Sequence, residues 1–253
     1  MRNCVVLGSG RSGTSMVAGT LSGAGYFMGH RPMPPTSSNP KGYFESFDIQ
    51  EINEELLAPV VPKRPRFLSR WLFRDRPGRN QLWLARVAVG TRIPGSSATN
   101  ARIGAMVQNE PYCFKDPRFS YTLPAWRPFL RNAVFICVFR DPASTAASIL
   151  SDCADSRYLR DLFMDFERAV DVWTLMYRHI LEIHRYDGAW LFLHYNQGLT
   201  EEGIRRLEVF VEARLEGTFP DPALCRSFSN RSVPPQTRVL YEELCGLADF
   251  KGH

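Results

Sequence analysis

Four short runs of apolar residues stand out along the chain, and each run is continuous rather than alternating. They lie at residues 4–7, 112–114, 134–139 and 190–194. Continuous apolar runs of this length are typical of parallel strands whose two faces are both covered by other elements. The pattern therefore predicts four buried strands of one parallel sheet.

Segments with apolar residues at helical spacing lie between and after these strands. Pro142 stands at an early helical position, and Thr200 begins a capping pattern. The predicted helices cover residues 12–24, 48–57, 142–150, 155–185 and 200–215. The alternation of strands and helices predicts a single α/β domain over residues 1–253.

Two stretches interrupt this alternation. Residues 26–46 contain four prolines and a Ser/Thr cluster, which predicts a loop. Residues 58–110 mix prolines with many arginines, and we interpret them as an irregular or partly helical insertion. The charges of this insertion either form a solvated face or belong to a lid over the substrate. Six side chains of the insertion could face an acidic or sugar substrate or, alternatively, form an oligomer contact. They are Arg64, Arg66, Arg70, Trp71, Arg74 and Trp83.

Composition excludes several classes of protein. The net charge of +5 indicates a mild preference for anionic ligands but is too weak and dispersed to indicate nucleic acid. No apolar run approaches 18 residues, so we expect no transmembrane helix, and without a signal peptide or anchor we expect a cytoplasmic protein. The six cysteines lack metal-ligand spacing, so we expect buried thiols and no metal.

A glycine-rich loop follows the first predicted strand directly. It reads Gly8-Ser-Gly-Arg-Ser-Gly-Thr-Ser15 and opens a predicted helix, an arrangement in which backbone amides and the helix N-terminus form a cradle for phosphate. Thr14 occupies the position of the Walker lysine, which counts against a nucleoside triphosphatase. Arg11 lies within the loop instead, so we expect a bound anion other than a triphosphate.

A second candidate anion site lies at the end of the third predicted strand. Arg140 ends that strand, and Ser148 follows eight residues later on the next predicted helix. Because ligands bind at the carboxyl ends of parallel strands, these two side chains are suited to hold a second phosphate. The alternative is a structural pair between Arg140 and Asp141.

The two segments together resemble the sulfotransferases that use 3′-phosphoadenosine-5′-phosphosulfate. In that family one strand–loop–helix unit holds the 5′-phosphosulfate, and a later arginine and serine at the spacing found here hold the 3′-phosphate. Residues 10–15 are similar to the loop of tyrosylprotein sulfotransferases and of many bacterial members. Residues 39–45, 115–118 and 193–197 are also similar to family segments, although Asn196 stands where an acid is usual.

The resemblance implies a fold, a donor and an acceptor class. The fold is a P-loop NTPase-like three-layer α/β fold, with a central parallel sheet and helices on both faces. The donor is 3′-phosphoadenosine-5′-phosphosulfate, used without a metal, and the acceptor is a hydroxyl of a glycan, a lipid or a natural product. The implied donor-binding residues are Gly10, Arg11, Ser12, Gly13, Thr14, Ser15, Arg140, Ser148 and Tyr195.

The resemblance also places Lys115 at the catalytic lysine of the tyrosylprotein sulfotransferases, and the chemistry of the transfer leads us to expect catalytic roles for Arg11 and Glu45. Arg11 would hold the phosphosulfate, and Lys115 would stabilise developing charge unless it instead pairs with Asp116. Glu45 is the candidate general base, with a helix-start charge or a partner of Arg11 as the alternative. His30 and Asp116 are rival bases.

Several assignments stay open at this point. Tyr195 either contacts the nucleotide or is a core tyrosine. Residues 226–232 either close over the 3′-phosphate or form a basic tail. Two other functions are compatible with the cradle, namely a P-loop kinase and a nucleotide-binding module without catalysis. Binding of a 3′-phosphorylated nucleotide without Mg²⁺, rather than ATP with Mg²⁺, would separate the sulfotransferase from the kinase.

Overall fold

The computed structural model describes residues 1–36, 39–65, 72–217, 219–221, 223 and 227–251. The described residues contain a four-stranded parallel sheet in the order β2-β1-β3-β4. Its strands are β1 (Cys4–Leu7), β2 (Cys113–Lys115), β3 (Val134–Phe139) and β4 (Ala189–His194). The predicted parallel sheet is confirmed, and each predicted strand matches an observed one within a residue.

Both faces of the sheet are buried, as the continuous apolar runs predict. Val5, Leu7 and Phe139 point into one hydrophobic cluster, whereas Val6 and Val138 point into another on the opposite face. Successive strand residues alternate between the two faces, so a strand covered on both sides must be apolar at every position.

Within the described residues, eight α-helices surround the sheet. They are α1 (Thr14–Ser22), α2 (Phe47–Leu57), α3 (Ser97–Met106), α4 (Phe119–Trp126), α5 (Pro142–Asp155), α6 (Phe166–His179), α7 (Glu201–Val211) and α8 (Pro235–Leu247). Helices contribute to the clusters on both faces of the sheet, which gives the predicted three-layer arrangement.

The predicted helix over residues 155–185 is wrong at its start. α5 continues to Asp155, residues 157–159 form a 3-10 turn, and α6 begins only at Phe166. The backbone amide of Arg168 donates to the side chain of Asp165, which thereby caps α6. The apolar residues near 159–163 therefore pack from a connecting segment rather than from a helix.

Two helices were absent from the prediction. α4 contains Pro124, which breaks the helical signal, and the helix is nevertheless buried between Phe119 and Trp126. α8 begins with Pro235 beyond the last predicted element and packs Leu240 and Leu244 into the core. Burial against the rest of the fold stabilises both helices, and a local pattern does not report that burial.

The insertion at residues 58–110 is partly helical, with a 3-10 turn at Leu82–Leu84 followed by α3. Of the side chains expected to face an acceptor or an oligomer contact, Arg66, Arg70 and Trp71 lie outside the described residues. Trp83 is buried, and Leu82 joins the main core. No helix in the described part of the chain has the length and apolar character needed to span a membrane.

Candidate active site

A cavity of about 880 Å³ lies at the carboxyl end of the sheet and gathers most of the residues singled out from the sequence. Glu45 and Lys115 both line it. The predicted donor-binding residues that line it are Gly10, Arg11, Gly13, Thr14, Ser15, Arg140, Ser148 and Tyr195. Ser12 is fully buried behind this surface.

The glycine-rich loop curls tightly because the backbone adopts conformations that glycine favours. Gly8 has φ +141° and Gly13 has φ +94°, and a Cβ added at Gly13 would lie 2.5 Å from the ring of Tyr195. No side chain of the described residues caps α1 at Gly13. The backbone amides at this helix N-terminus therefore remain available to an anion.

A tyrosine on α6 also holds the glycine-rich loop in place. The backbone amide of Ser9 donates to the hydroxyl of Tyr177 at 3.1 Å, and that hydroxyl donates to the carbonyl of Val138 at 2.7 Å. Burial raises the pKa of Tyr177, so its hydroxyl keeps its proton and can donate. One phenol thereby ties the loop to β3. Neither the sequence pattern nor the resemblance singled out Tyr177, which reads only as a helical core position.

Two further contacts join the loop to α5. The Nε of Arg11 donates to the Oγ of Ser148 at 3.2 Å, and the hydroxyls of Ser12 and Thr145 lie 3.5 Å apart. The sequence assigns Arg11 and Ser148 to two separate phosphate subsites. The structure brings the two side chains into direct contact, so these two features adjoin on one wall of the cavity.

Arg140 extends from the end of β3 across Tyr195, with its guanidinium carbon 4.9 Å from the ring centre. It also donates to the carbonyl of Ser227, within the tail segment assigned to the 3′-phosphate. Arg226, from the same segment, lies outside the described residues. Asp141 caps α5 by accepting from the amide of Ser144 at 2.7 Å, so its carboxylate serves the helix start.

His194 lies at the end of β4, next to Tyr195. The amide of Asn196 donates to its Nδ1 at 3.2 Å, and its Nε2 lies 3.2 Å from the hydroxyl of Tyr241. Burial, followed by the charge of Arg140, lowers the pKa of His194 to about 4. A neutral imidazole therefore lies behind the Arg140 side of the cavity at physiological pH.

Lys115 makes three hydrogen bonds at the end of β2. Its ammonium donates to the Oγ of Ser15 and to the carbonyl of Tyr43, each at 3.1 Å, and to the carboxylate of Glu45. The Oγ of Ser15 also accepts from the side-chain amide of Asn39 at 3.1 Å. The loop after β1, the end of β2 and residues 39–45 therefore meet at this ammonium.

Glu45 and Lys115 are both buried. Burial raises the pKa of Glu45, and the charge of Asp116 adds to that rise, while Lys115 and Arg118 oppose it. A carboxyl with a raised pKa is a stronger proton acceptor when it is ionised. The alternative partner considered for Lys115, Asp116, pairs with Arg118 instead, and Lys115 pairs with Glu45.

The two rival bases have other partners. Both oxygens of Asp116 accept from Nη1 of Arg118 at 3.2 Å. The Nε of Arg118 in turn donates to Glu54 at 2.7 Å, which closes a buried ionic network. His30 is exposed, and its backbone amide donates to the carboxylate of Asp48 at 3.1 Å. Glu45 is thus the candidate base that contacts the candidate catalytic lysine.

Comparisons with known proteins agree on one family. The model of the sulfotransferase family matches residues 4–202. The structure is similar to the sulfotransferase domain from the Synechococcus PCC 7002 olefin synthase, at 16% identity and a TM-score of 0.54, over 97% of this chain and 96% of that one. It is also similar to the sulfotransferase domain from the curacin biosynthetic pathway, at 14% identity and a TM-score of 0.58, over 96% and 98% of the two chains. The search of curated proteins gave no match. The structural likeness confirms the P-loop NTPase-like α/β fold.

Proposed function

The chain belongs to the sulfotransferase family, and from this premise we propose that it transfers a sulfuryl group from 3′-phosphoadenosine-5′-phosphosulfate to an acceptor hydroxyl. The observation that carries the proposal is the convergence of an anion cradle, an arginine–serine pair and a buried Lys115–Glu45 pair on one cavity. The acceptor is a hydroxyl of a small natural product, a glycan or a lipid.

The residues present fit such a donor. The uncapped N-terminus of α1 and the tight backbone at Gly13 leave room for a phosphate group, and a side chain at Gly13 would remove part of that room. Arg11 and residues 12–15 would hold the 5′-phosphosulfate. Arg140 and Ser148 would hold the 3′-phosphate, and Tyr195 would contact the nucleotide. When bound, the donor supplies the activated sulfuryl group.

Lys115 supplies the positive charge next to the cradle. Its ammonium lies within 3.1 Å of Ser15, a loop residue that lines the same cavity. In a buried site, a fixed charge of this kind stabilises negative charge more strongly than it does in water. We therefore assign Lys115 to stabilise the negative charge that develops during transfer.

Glu45 acts as the general base in this proposal. The acceptor oxygen must lose a proton as it is sulfated, and Glu45 is a carboxylate that lines the cavity in contact with Lys115. Burial raises the pKa of Glu45, and the Lys115 ammonium opposes that rise because it favours the ionised carboxylate. Glu45 accepts the proton on its carboxylate, and Arg11 contributes charge from the loop.

A thermal-shift titration with 3′-phosphoadenosine-5′-phosphate, with AMP and ATP–Mg²⁺ as controls, tests the donor. Nucleotide at about 100 times its Kd adds about 2.7 kcal/mol of stability, which at this size is a rise of roughly 5–10 °C in Tm. We expect the rise only with the 3′-phosphorylated nucleotide.

The matched variants are Arg140→Ala and Arg178→Ala. Arg140→Ala is expected to lose most of the rise, whereas Arg178→Ala should have no effect, because Arg178 lies on the surface of α6 and pairs with Glu182. A rise with ATP–Mg²⁺ alone would favour the kinase. No rise with any nucleotide would contradict donor binding.

A further inference from the structure

One face of α5 continues along the cavity beyond the Arg11–Ser148 contact. Ser148, Ser151, Asp152 and Asp155 all line the cavity, at spacings that place them on one side of the helix. Ser148, at the start of this face, contacts Arg11 of the glycine-rich loop, whereas Asp152 and Asp155, further along it, carry carboxylates. The cavity wall therefore changes from cationic to anionic along a single helix.

Asp152 is the unusual member of this stripe because it is only 5% exposed and incompletely paired. Its Oδ1 accepts from the hydroxyl of Ser156 at 2.7 Å. Among the described residues, its Oδ2 has no hydrogen-bond partner and no lysine or arginine lies within salt-bridge distance. Because Asp152 lines the cavity, its carboxylate is placed to attract a cationic group of a bound ligand.

Two aromatic residues line the same cavity as Asp152. Trp83 and Tyr158 line the cavity, and the charge of Asp152 acts on the hydroxyl of Tyr158. Asp152 and the candidate catalytic Lys115 line the same cavity.

Other charges on this side do not replace the missing partner. Arg118 is neutralised by Asp116 and Glu54 in the buried network. Arg79 also lines the cavity, but it is exposed to solvent, where a charge is screened. The aromatic rings of Trp83 and Tyr158 offer faces that attract cations. A carboxylate and aromatic rings that line one cavity are suited to bind a protonated amine.

We propose that the acceptor carries a protonated amine in addition to the hydroxyl that is sulfated, and that Asp152 binds this amine. The proposal rests on the proposed sulfotransferase function and specifies its substrate class. Asp152 acts here as a specificity-determining residue, because it selects among hydroxyl compounds by charge and takes no part in the transfer.

Matched pairs of probes test the amine directly. Glucosamine is compared with N-acetylglucosamine, and tyramine with N-acetyltyramine, since acetylation removes the positive charge and leaves the hydroxyls in place. Binding is measured by calorimetry on protein saturated with 3′-phosphoadenosine-5′-phosphate, and transfer with the ³⁵S-labelled donor. We expect at least one amine to bind about tenfold or more tightly than its acetylated partner, a difference of about 1.4 kcal/mol.

Three variants test whether the charge of Asp152 causes the preference for the amine. Asp152→Asn keeps the acceptor for Ser156 and should abolish the preference for the amine, while Asp152→Glu should retain most of it. Asp171→Asn removes an exposed carboxylate on α6 that pairs with Arg86, and it should leave the preference for the amine unchanged. A normal Tm rise with 3′-phosphoadenosine-5′-phosphate shows that each variant is folded.

The outcomes separate the two proposals. Equal binding of each amine and its acetylated partner, a preference that survives Asp152→Asn, or no binding of any probe while the nucleotide binds would each overturn the role of Asp152. Amine binding that depends on Asp152 without any sulfated product would instead contradict the sulfotransferase function and leave the amine site in place.

Discussion

The cavity has two walls that are built in different ways. The strand-end wall consists of residues 8–15, residues 140–148 and Tyr195, all of which follow directly from strands of the sheet. The insertion wall consists of the cavity-lining residues within 33–36, 39–47 and 79–83, none of which belongs to a strand of the sheet. The two walls meet where Lys115 contacts both Ser15 and Glu45.

The difference lies in what fixes the side chains. On the strand-end wall, the parallel pairing of β1 and β3 fixes where each loop starts. On the insertion wall, the carboxylate of Glu54 accepts from the amides of Asn80 at 2.7 Å and Leu82 at 3.0 Å, and from Arg118. Backbone pairing therefore builds one wall and a buried charge network builds the other, so the two walls should respond differently to substitution.

The largest effect is expected where the walls meet. Lys115→Met should lower kcat by about 10²–10³-fold, the usual cost of removing one group that stabilises a developing charge. Binding of 3′-phosphoadenosine-5′-phosphate should persist, because Arg11, Arg140 and Ser148 remain. Sulfate transfer under donor saturation and the nucleotide-induced Tm rise measure the two properties separately.

Lys41→Met is the matched control for that variant. Lys41 lines the same cavity, but it pairs with Asp221 and is partly exposed. We expect it to lower kcat less than about tenfold, as for a surface ion pair. Similar losses in both variants would show that general positive charge in the cavity, rather than the position of Lys115, supports transfer.

The next largest effect is expected on the thermal stability of the protein, through the charge network of the insertion wall. Glu54→Gln leaves Arg118 with a weakened partner in the core, and breaking a buried ion pair costs about 3–5 kcal/mol. The expected loss of Tm is about 6–20 °C at roughly 2–4 °C per kcal/mol. The rise of Tm with 3′-phosphoadenosine-5′-phosphate should be unchanged, because the strand-end wall does not depend on Glu54.

Glu55→Gln gives the neighbouring control. Glu55 is exposed on the same helix and pairs with Arg102 at the surface, so its loss should cost less than about 1 kcal/mol. If Glu54→Gln were no more harmful than Glu55→Gln, the network would not be what fixes the insertion wall.

The same division explains how much could be predicted from the sequence. The cradle and the Arg140–Ser148 spacing are local patterns attached to apolar strands, so their placement at one edge of the sheet could be predicted. Glu54 and Arg118 are 64 positions apart and read as ordinary charges, and nothing local indicates that they meet. Pro124 conceals α4 for the related reason that tertiary burial stabilises that helix.

The pH dependence of transfer tests the charge environment of Glu45. The base must be ionised, so kcat/KM should fall about tenfold per pH unit below its pKa, with the midpoint above the usual carboxyl value of about 4.3. Asp116 raises the pKa of Glu45, whereas Lys115 and Arg118 lower it. Asp116→Asn removes the negative charge and should move the acid limb to lower pH.

Glu51→Gln serves as the comparison for this profile. Glu51 lines the cavity but pairs with Arg31 and Arg102, and it does not contribute to the pKa shift of Glu45. The acid limb of the Glu51→Gln profile should coincide with that of the unmodified protein. An acid limb that stays in place or moves to higher pH in Asp116→Asn would remove Glu45 from the role of base.

The smallest effect tests whether the strand-end wall needs a side chain at all. Tyr177→Phe removes the acceptor of the Ser9 amide and the donor to Val138, while strand pairing stays intact. A buried amide left without a partner costs about 1–3 kcal/mol, part of which should appear as weaker nucleotide binding, by roughly five- to tenfold, with little change in kcat. Calorimetry with 3′-phosphoadenosine-5′-phosphate measures the affinity, and Tyr186→Phe, at a phenol that is 73% exposed, is the control.

Because the loop begins where β1 ends, we expect the cradle to survive in a looser form. Complete loss of nucleotide binding in Tyr177→Phe would mean that the strand-end wall also depends on a side-chain network, and the contrast between the two walls would then be wrong.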